Sequence, residues 1–419
     1  MHIQNELDSL KLEELVFKKD MHILRNDYYY KYCGEIFSDE SCMIDLYHSA
    51  HEKLFGSLYS IRKIAPFVTF YLVLDAKEKT LSASFTAMAL TSFINYFIDK
   101  SIVSSSMLDL RELLDAVLLF AKPLLLEEET LGAHFILSEN DSLEYASFAM
   151  PSILIADATN TLQKLASNNS EIDKHKSSFT IDKISAHEIK KILIYNDGLA
   201  QNRIKDSVHI YAKYIDEDFT NSFSIDDFEY KIQSRIDTQT DALTCIFINK
   251  MDFEKKLLDS KTINTCMNAV EEAHAWHEDV VGKIMEDADA IEKCNYPFRE
   301  LLLNAFEHGN LGISNSAKHQ AIESGDYWDM IDELVKYCDK SIEISIYQAN
   351  HLDESYILTT IKDEGEGFDT TILKNILSKK QYFNGRGVFI SKKFSNGIYY
   401  NSIGNSILII NKINQKKRK

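Results

Sequence analysis

Short apolar runs rich in β-branched and aromatic residues alternate with longer helical patterns in the first 250 residues. Such runs predict strands at residues 43–47, 67–74, 133–137, 152–156, 191–195 and 244–248. Apolar residues spaced three and four apart predict helices at residues 82–99 and 109–125. Because the helices are grouped and do not follow every strand, the pattern favours an α+β fold over a Rossmann-type parallel sheet.

The pattern changes around residues 252–262, where we place a domain boundary. A long polar helix is predicted at residues 263–290, and strands are predicted at residues 342–346, 356–361 and 406–410, with a polar stretch at 311–340. The predicted domains are residues 26–252 and 258–414. Residues 1–25 read as a helical lead-in and residues 415–419 as a basic, solvated tail.

The amino-acid composition argues against several classes of function. Among the 419 residues, 64 acidic and 46 basic side chains give a net charge of -18, which argues against a nucleic-acid partner. The six cysteines form no C-x-x-C pair, so neither a zinc ribbon nor a disulfide framework is expected. No signal-peptide pattern and no membrane-spanning run is present, and residues 85–98 read as a buried helix. We therefore expect a cytoplasmic protein without a membrane partner.

Polar residues recur at every fourth position in residues 298–310. Glu300, Asn304 and His308 are four residues apart and share one face of a helix, and Gly309 is predicted to cap its C-terminus. A carboxylate and an amide one turn apart suit a metal ion and its bound water. An amphipathic helix with a polar outer face is an equally good interpretation of this segment alone.

Glycine-rich motifs follow the helix in the C-terminal domain. Asp363 precedes Gly365 and Gly367, where glycine lets the backbone approach a ligand closely, and the carboxylate can accept a hydrogen bond from an amine. The pair Gly385 and Gly387 stands directly before an apolar helix, whose N-terminal amides suit a phosphate. No G-x-x-x-x-G-K-[ST] loop is present, which argues against a P-loop protein.

The motifs E-x-x-x-N-x-x-x-H-G, D-x-G-x-G-F, G-R-G and G-N-S occur in one order between residues 300 and 406. Because of these motifs and their order, residues 258–413 resemble the GHKL ATPase (Bergerat) fold of gyrase, histidine kinases and the MutL proteins. The spelling N-A-F-E-H-G-N is most similar to the bacterial anti-sigma-factor serine kinases. The resemblance implies an α/β sandwich with a four- or five-stranded sheet backed by helices, binding ATP and Mg²⁺.

This resemblance also implies roles for individual residues. Glu300 would be the general base, Asn304 the Mg²⁺ ligand, and Asp363 the acceptor for the adenine amine. The remaining cofactor-binding positions, in the adenine pocket, the phosphate lid and the last loop, would be Gly365, Gly367, Gly385, Arg386, Gly387 and Gly404.

Four aspartates stand in or beside apolar runs of the N-terminal domain: Asp45, Asp75, Asp197 and Asp241. Carboxylates gathered at one rim would repel each other unless divalent cations lay between them, and oxygen ligands suit Mg²⁺ or Mn²⁺. For any one of them, the simpler explanation is that aspartate favours strand-to-turn positions.

The segments around these aspartates resemble the PPM-type serine/threonine phosphatases of the sporulation-stage-II-E kind, over residues 20–249. Four segments carry this similarity: D-L-Y-H at Asp45, L-V-L-D-A at Asp75, I-L-I-Y-N-D-G-L at Asp197 and D-A-L-T at Asp241. The resemblance implies a β-sandwich flanked by helices, with Mn²⁺ or Mg²⁺ held by Asp45, Asp75, Asp197, Asp241 and the carbonyl of Ala76.

Some positions depart from the phosphatase pattern. Ile44 replaces the glycine before the first aspartate, and Glu78 and Thr80 replace two glycines after the second. His48 stands where the first motif closes with an acidic residue. These departures leave open whether the domain is an active phosphatase or a degenerate, sensor-like one.

Together the two resemblances imply a partner-switching regulator. Its kinase would phosphorylate, and its phosphatase would dephosphorylate, a STAS-type anti-sigma antagonist. A sigma factor, an upstream signalling protein and a second copy of the chain are further expected partners. One alternative is a non-catalytic protein that sequesters a sigma factor or antagonist. Another is a histidine kinase that uses His274 or His277, although these histidines fall on the helix expected to open the ATPase domain.

Overall fold

The computed structural model describes residues 32–33, 42–49, 56–65, 68–78, 80–104, 107–139, 141–205, 207–237, 239, 241–250, 255–351, 354–368, 386–401 and 403–413. The predicted lead-in of residues 1–25, the basic tail and Gly385 lie outside these ranges. The chain divides into two compact units, built mainly from Asp45–Lys250 and from Met251–Lys419. Helices and several antiparallel sheets are both present, so the predicted mixed class of fold is confirmed.

The elements up to residue 250 form two antiparallel sheets with helices between their strands. In chain order they are β1 (Tyr32–Cys33), β2 (Cys42–Ser49), β3 (Ser57–Ala65), β4 (Val68–Ala76), α1 (Leu81–Val103), α2 (Leu110–Ala121), β5 (Leu131–Glu139), β6 (Ser142–Phe148), β7 (Ile153–Asp157), β8 (Leu162–Leu165), β9 (Asp182–Ser185), β10 (Ile189–Tyr195), α3 (Asp197–Gln201), α4 (Ile215–Thr220), α5 (Ile225–Arg235) and β11 (Leu243–Lys250).

The two sheets have the strand orders β1-β2-β11-β10-β7-β8 and β3-β4-β5-β6-β9. Consecutive residues of β4, such as Leu72 and Val73, lie on opposite faces of the sheet, and both are buried. Helices α1 and α2 cover one face of this sheet and share its hydrophobic core. Helices α4 and α5 pack in the same way on β10 and β11 of the other sheet. The side chains of Ser57 and Asn196 meet between the sheets, which gives a helix–sheet–sheet–helix arrangement.

Helix α1 begins where the side chain of Thr80 accepts a hydrogen bond from the Ala83 amide, and Asp109 caps α2 in the same manner. Among the described residues, α1 is the one helix long and apolar enough to cross a membrane, and 56% of its most apolar window is buried. It packs against β3 and β4, which agrees with the predicted buried helix.

From residue 255 onward, the described part of the second unit contains an antiparallel sheet of five strands with helices packed on it. Its elements are β12 (Lys255–Asn264), α6 (Met267–Gly282), α7 (Ala288–Asn304), α8 (Asn315–Ser324), α9 (Tyr327–Val335), β13 (Ser341–His351), β14 (Glu354–Asp363), α10 (Arg386–Phe394), β15 (Gly397–Tyr400) and β16 (Ser406–Ile413). The strand order is β12-β13-β14-β16-β15. The core contains Phe298, Leu301 and Leu302 of α7 against isoleucines of the sheet.

The predicted helix at residues 263–290 is wrong in extent. Strand β12 runs to Asn264, α6 ends at Gly282, and Asp287 caps the start of α7. Most of β12 is at least partly exposed and it carries three lysines, so its sequence lacks the apolar alternation of a half-buried strand. The polar stretch at 311–340, for which no element was predicted, contains α8 and α9.

Candidate functional site

Helix α7 carries Glu300 and Asn304 in its last two turns, and the chain then continues as a π-helical turn, Ala305–Asn310. The predicted C-cap at Gly309 is wrong, because Gly309 lies inside this turn and does not have a positive φ. A Cβ atom at Gly309 would lie 2.5 Å from both Cγ and Oδ1 of Asp363. Glycine is therefore required here because the carboxyl group of Asp363 packs directly on the backbone of the turn.

Asp363 ends β14 and is mostly buried. Its Oδ1 accepts a hydrogen bond of 2.8 Å from the Gly365 amide, and a Cβ at Gly365 would lie 2.7 Å from the same oxygen. Burial raises the pKa of Asp363 to about 6, although the Gly365 amide and the charge of Lys340 act in the opposite direction. The result is a buried acceptor between two glycine backbones, an arrangement that suits a hydrogen-bond donor on a planar ligand.

Asn310 fixes this part of the backbone. Its Nδ2 donates to the Thr265 hydroxyl at 2.7 Å and to the Ser341 carbonyl at 3.0 Å, and its Oδ1 accepts from the Glu364 amide at 2.9 Å. The side chain thereby joins the π turn to β13 and to the residue after Asp363. Sequence analysis assigned Asn310 no role, although the residue closes the N-A-F-E-H-G-N motif.

The D-x-G-x-G turn interlocks with the loop before β16. Gly367 and Gly404 both adopt a positive φ, of 76° and 89°. The amide of Phe368 donates to the Ile403 carbonyl at 2.9 Å, and a Cβ at Gly367 would overlap that carbonyl. The two glycines, which the motif order had grouped, therefore do lie side by side.

Helix α10 begins beside Glu300. The side chain of Glu300 is partly exposed, and a Cβ at Gly387 would overlap its carboxylate. The backbone of Arg386 starts the helix. A carboxylate at a helix N-terminus is favourable, and the same amides could receive an anion. The structure thus brings Glu300 to Gly387 and Asp363 to Gly309 and Gly365.

Histidines near this site have local roles. The ring of His277 is buried and stacks on Phe298, with a centroid distance of 3.8 Å. Its Nδ1 lies 2.8 Å from Oδ1 of Asn295, and burial lowers the pKa of His277 to about 4. His308 Nδ1 lies 2.5 Å from the Ile313 carbonyl oxygen. A buried, stacked His277 is not accessible to a phosphoryl donor, which argues against His277 as a phosphoacceptor. His274 is only partly buried and lies edge-on to Phe298, with a centroid distance of 6.0 Å.

Three of the four aspartates of the first unit come together. Asp75 is the penultimate residue of β4, Asp197 begins α3, and Asp241 lies two residues before β11. Burial raises the pKa of Asp75, and the negative charges of Asp241 and Asp197 add to this increase. The hydroxyl of Ser57 donates to Asp75 and opposes it. The charges of Asp197 and Asp241 thus act on the carboxyl group of Asp75 at one end of the sandwich.

Asn196 organises the backbone between these carboxylates. Its Nδ2 donates to Ser57 Oγ at 3.0 Å and to the Ala242 carbonyl at 2.8 Å, while its Oδ1 accepts from the Thr244 amide at 3.0 Å. A Cβ at Gly198 would overlap the Ala242 carbonyl, so the turn after β10 packs tightly on the segment before β11. Sequence analysis missed Asn196 and Ser57, although an asparagine before a short helix is a capping signal.

Lys77 forms an ion pair with Asp197. Its charge also acts on Asp75. Nothing in the spacing of the aspartates had indicated a lysine at this point. Lys77 therefore offsets part of the negative charge of this cluster.

Asp45 and Ala76 complete the predicted ligand set. Asp45 is buried in β2. Burial raises the pKa of the Cys245 thiol on β11, and the charge of Asp45 adds a smaller increase. The Ala76 amide donates to the Gly56 carbonyl at 3.2 Å, and Gly56 has no room for a Cβ beside Ala76. This contact fixes the backbone that carries the predicted carbonyl ligand.

Three residues at which the sequence departs from the phosphatase pattern, Glu78, Thr80 and His48, make local contacts. Oε2 of Glu78 accepts from the Thr130 amide at 3.0 Å, and Thr80 caps α1. His48 Nδ1 lies 2.8 Å from Thr244 Oγ1. These positions therefore anchor the loop after Asp75 and the start of β11.

Carboxylate oxygens are the donors that Mg²⁺ and Mn²⁺ prefer, so the donor chemistry of this cluster fits such an ion. The arrangement does not fit it as folded. Within the described ranges, no three His, Cys, Asp or Glu side chains converge closely enough to hold a metal ion. The ammonium group of Lys77 instead contacts Asp197.

No protein-family model and no curated protein sequence matches this chain. It is similar to the solved RsbU and RsbW domains of a Mycobacterium tuberculosis protein, with 13% identity, a TM-score of 0.42, and coverage of 88% of this chain and 92% of that one. The SiaA-PP2C domain of Pseudomonas aeruginosa has 13% identity, a TM-score of 0.43, and coverage of 59% and 98%.

RsbX in complex with magnesium is also similar, with 12% identity, a TM-score of 0.40, and coverage of 51% and 96%. Other similar structures are described as bacterial serine phosphatases and as the PP2C phosphatase domain of SpoIIE from Bacillus subtilis. At such low identity, these similarities say nothing about individual residues, whose roles follow from their own contacts.

Proposed function

We propose that the second unit binds Mg-ATP and that the chain is a bacterial partner-switching regulator of the cytoplasm. The observation that carries the proposal is the buried carboxyl group of Asp363, packed on Gly309 and hydrogen-bonded to Gly365. An acceptor held in this way discriminates strongly for a ligand that carries a matching donor, because the unpaired buried carboxylate is costly. The exocyclic amine of adenine is such a donor.

The remaining residues of the site fit the phosphate end of a nucleotide. Asn304, one turn from Glu300, would supply an amide oxygen to Mg²⁺, and the first amides of α10 would donate to phosphate oxygens. Glu300 would accept the proton of an attacking hydroxyl group, which makes protein-serine phosphorylation the proposed reaction. The proposed acceptor is a serine of a STAS-type anti-sigma antagonist.

Calorimetry with two nucleotides tests the adenine assignment. We expect the wild-type chain to bind Mg-ATP more tightly than Mg-ITP, which lacks the amine, and Asp363→Ala to bind the two equally weakly. Asn304→Ala should weaken binding in Mg²⁺ while changing little in EDTA. An equal affinity of the wild-type chain for both nucleotides would refute the role of Asp363.

A second candidate function is metal-dependent hydrolysis of phosphoserine by the first unit, on the same antagonist. The charges of Asp197 and Asp241 that act on Asp75 favour it, because carboxylate oxygens are the ligands that a divalent cation prefers, although Lys77 contacts Asp197 in the folded chain. Release of phosphate from a phosphorylated antagonist in Mn²⁺ would support this function. Absence of release from any phosphoserine substrate would leave the first unit as a scaffold.

Sequestration of a sigma factor or antagonist is the non-catalytic alternative. Incubation with labelled ATP and a purified antagonist separates it from the kinase, because only a kinase transfers the label to serine. Acid-labile label on the chain itself would instead indicate histidine phosphorylation.

A further inference from the structure

Lys77 is the one lysine whose charge acts on both Asp75 and Asp197 in the described part of the cluster. It lies two residues beyond Asp75 in sequence and 120 residues from Asp197. Its side chain is only 27% exposed.

The path of this side chain is built into the fold. Gly132 pairs with Asp75 across β4 and β5, and the Lys77 side chain passes over it. A Cβ at Gly132 would lie 3.1 Å from Cε and 3.2 Å from Nζ of Lys77. The Lys77 amide is also fixed by a 3.1 Å hydrogen bond to the Thr130 carbonyl. Backbone and glycine together direct the ammonium group to the carboxylates.

We propose that Lys77 is a built-in counter-ion that competes with divalent cations for the Asp75–Asp197–Asp241 cluster. This inference rests on the second candidate function, metal binding by the first unit. The ammonium group offsets part of the negative charge but has no vacant orbital, so it cannot coordinate a water molecule as a metal ion would. A metal ion would occupy the cluster only when Lys77 leaves Asp197, and that exchange would reduce the affinity for metal.

The measurement is calorimetric titration of the full chain with MnCl₂ alone. Lys77→Met keeps the length of the side chain and removes its charge. We expect this variant to bind Mn²⁺ at least about 10-fold more tightly than wild type, which is the lower end of the coupling between close charges. Lys174→Met is the matched control, because Lys174 also pairs with a carboxylate, Glu127, and lies at the surface of the same unit. It should bind Mn²⁺ as wild type does.

Two further readouts make the result decisive. Mn²⁺ should raise the Tm of Lys77→Met more than that of wild type, since binding to the folded state alone stabilises it. Adding Asp197→Asn to Lys77→Met should abolish the increased affinity. Equal Mn²⁺ affinity in wild type and Lys77→Met would overturn the competition while leaving a metal site intact. No binding to either protein at millimolar Mn²⁺ would overturn both the competition and the metal-dependent phosphatase.

Discussion

Replacement of Gly309 by alanine should weaken nucleotide binding through Asp363. The added Cβ would lie 2.5 Å from Cγ and Oδ1 of that carboxyl group, whereas ordinary contacts begin at 3.4 Å. The carboxyl group must therefore move by about 1 Å. Such a shift would break or lengthen the 2.8 Å hydrogen bond from the Gly365 amide and misplace the acceptor.

The size of the effect follows from the interaction that is lost. A hydrogen bond to a charged group contributes about 1.5–3 kcal/mol, so Gly309→Ala should weaken Mg-ATP binding by about 10- to 150-fold. Overpacking of a closely packed site also lowers the free energy of unfolding by about 1–3 kcal/mol. Both quantities are needed, because a folded variant with impaired binding is the informative outcome.

Titration calorimetry with Mg-ATP and urea unfolding provide these two measurements. Gly282→Ala is the control, since Gly282 ends α6 in open space with no atom within 4 Å of an added Cβ. It should bind ATP normally and lose no stability. If folded Gly309→Ala bound ATP as tightly as wild type, Asp363 could not be the acceptor for the nucleotide.

Three further predictions concern charge and buried amides. Because burial raises the pKa of Asp363 to about 6, ATP affinity should fall as the pH falls through that value, and Asp363→Ala should show no such dependence. The same shift favours the folded state at acid pH, and this contribution is lost as the pH rises through about 6. Asn310→Ala should lower the free energy of unfolding, measured in urea, by about 2–3 kcal/mol, because it leaves buried groups unpaired. Asn315→Ala is the exposed control and should change this free energy by less than about 0.5 kcal/mol. Burial lowers the pKa of Lys191 to about 7. The free energy of unfolding of the wild type, relative to that of Lys191→Met, should therefore rise as the pH increases from 7 towards 10.5, the pKa of the unfolded state. A difference that does not change with pH would contradict this.

Local patterns were sufficient for many elements. The predicted strands at 43–47, 191–195 and 244–248 fall within β2, β10 and β11, and the predicted helices at 82–99 and 109–125 coincide largely with α1 and α2. Strands β3, β6 and β12 were missed because polar residues interrupt them or because they carry many charges. Their pairing with neighbours supplies the backbone hydrogen bonds that sequence patterns do not reveal.

The candidate sites also combine features that the sequence predicted with contacts that it did not reveal. Motif order placed Asp363, Gly367 and Gly404 in one group, and Gly367 and Gly404 do lie beside each other. The roles given to Glu300 and Asn304 remain predictions. Sequence analysis gave Gly309 a capping role, because a glycine after a helical pattern usually ends the helix. The π turn changes this, since it moves Gly309 against the carboxyl group of Asp363, which is far away in the chain.

The strand ends, helix starts and glycine turns could be recognised from the residue types along the chain. Those features depend on a few neighbouring residues, because side-chain direction and backbone freedom are local properties. Only the tertiary structure decided that Lys77 reaches Asp197 and that Asn310 reaches Thr265. These partners are 120 and 45 residues apart, and their meeting depends on strand register and on how the helices and sheets pack.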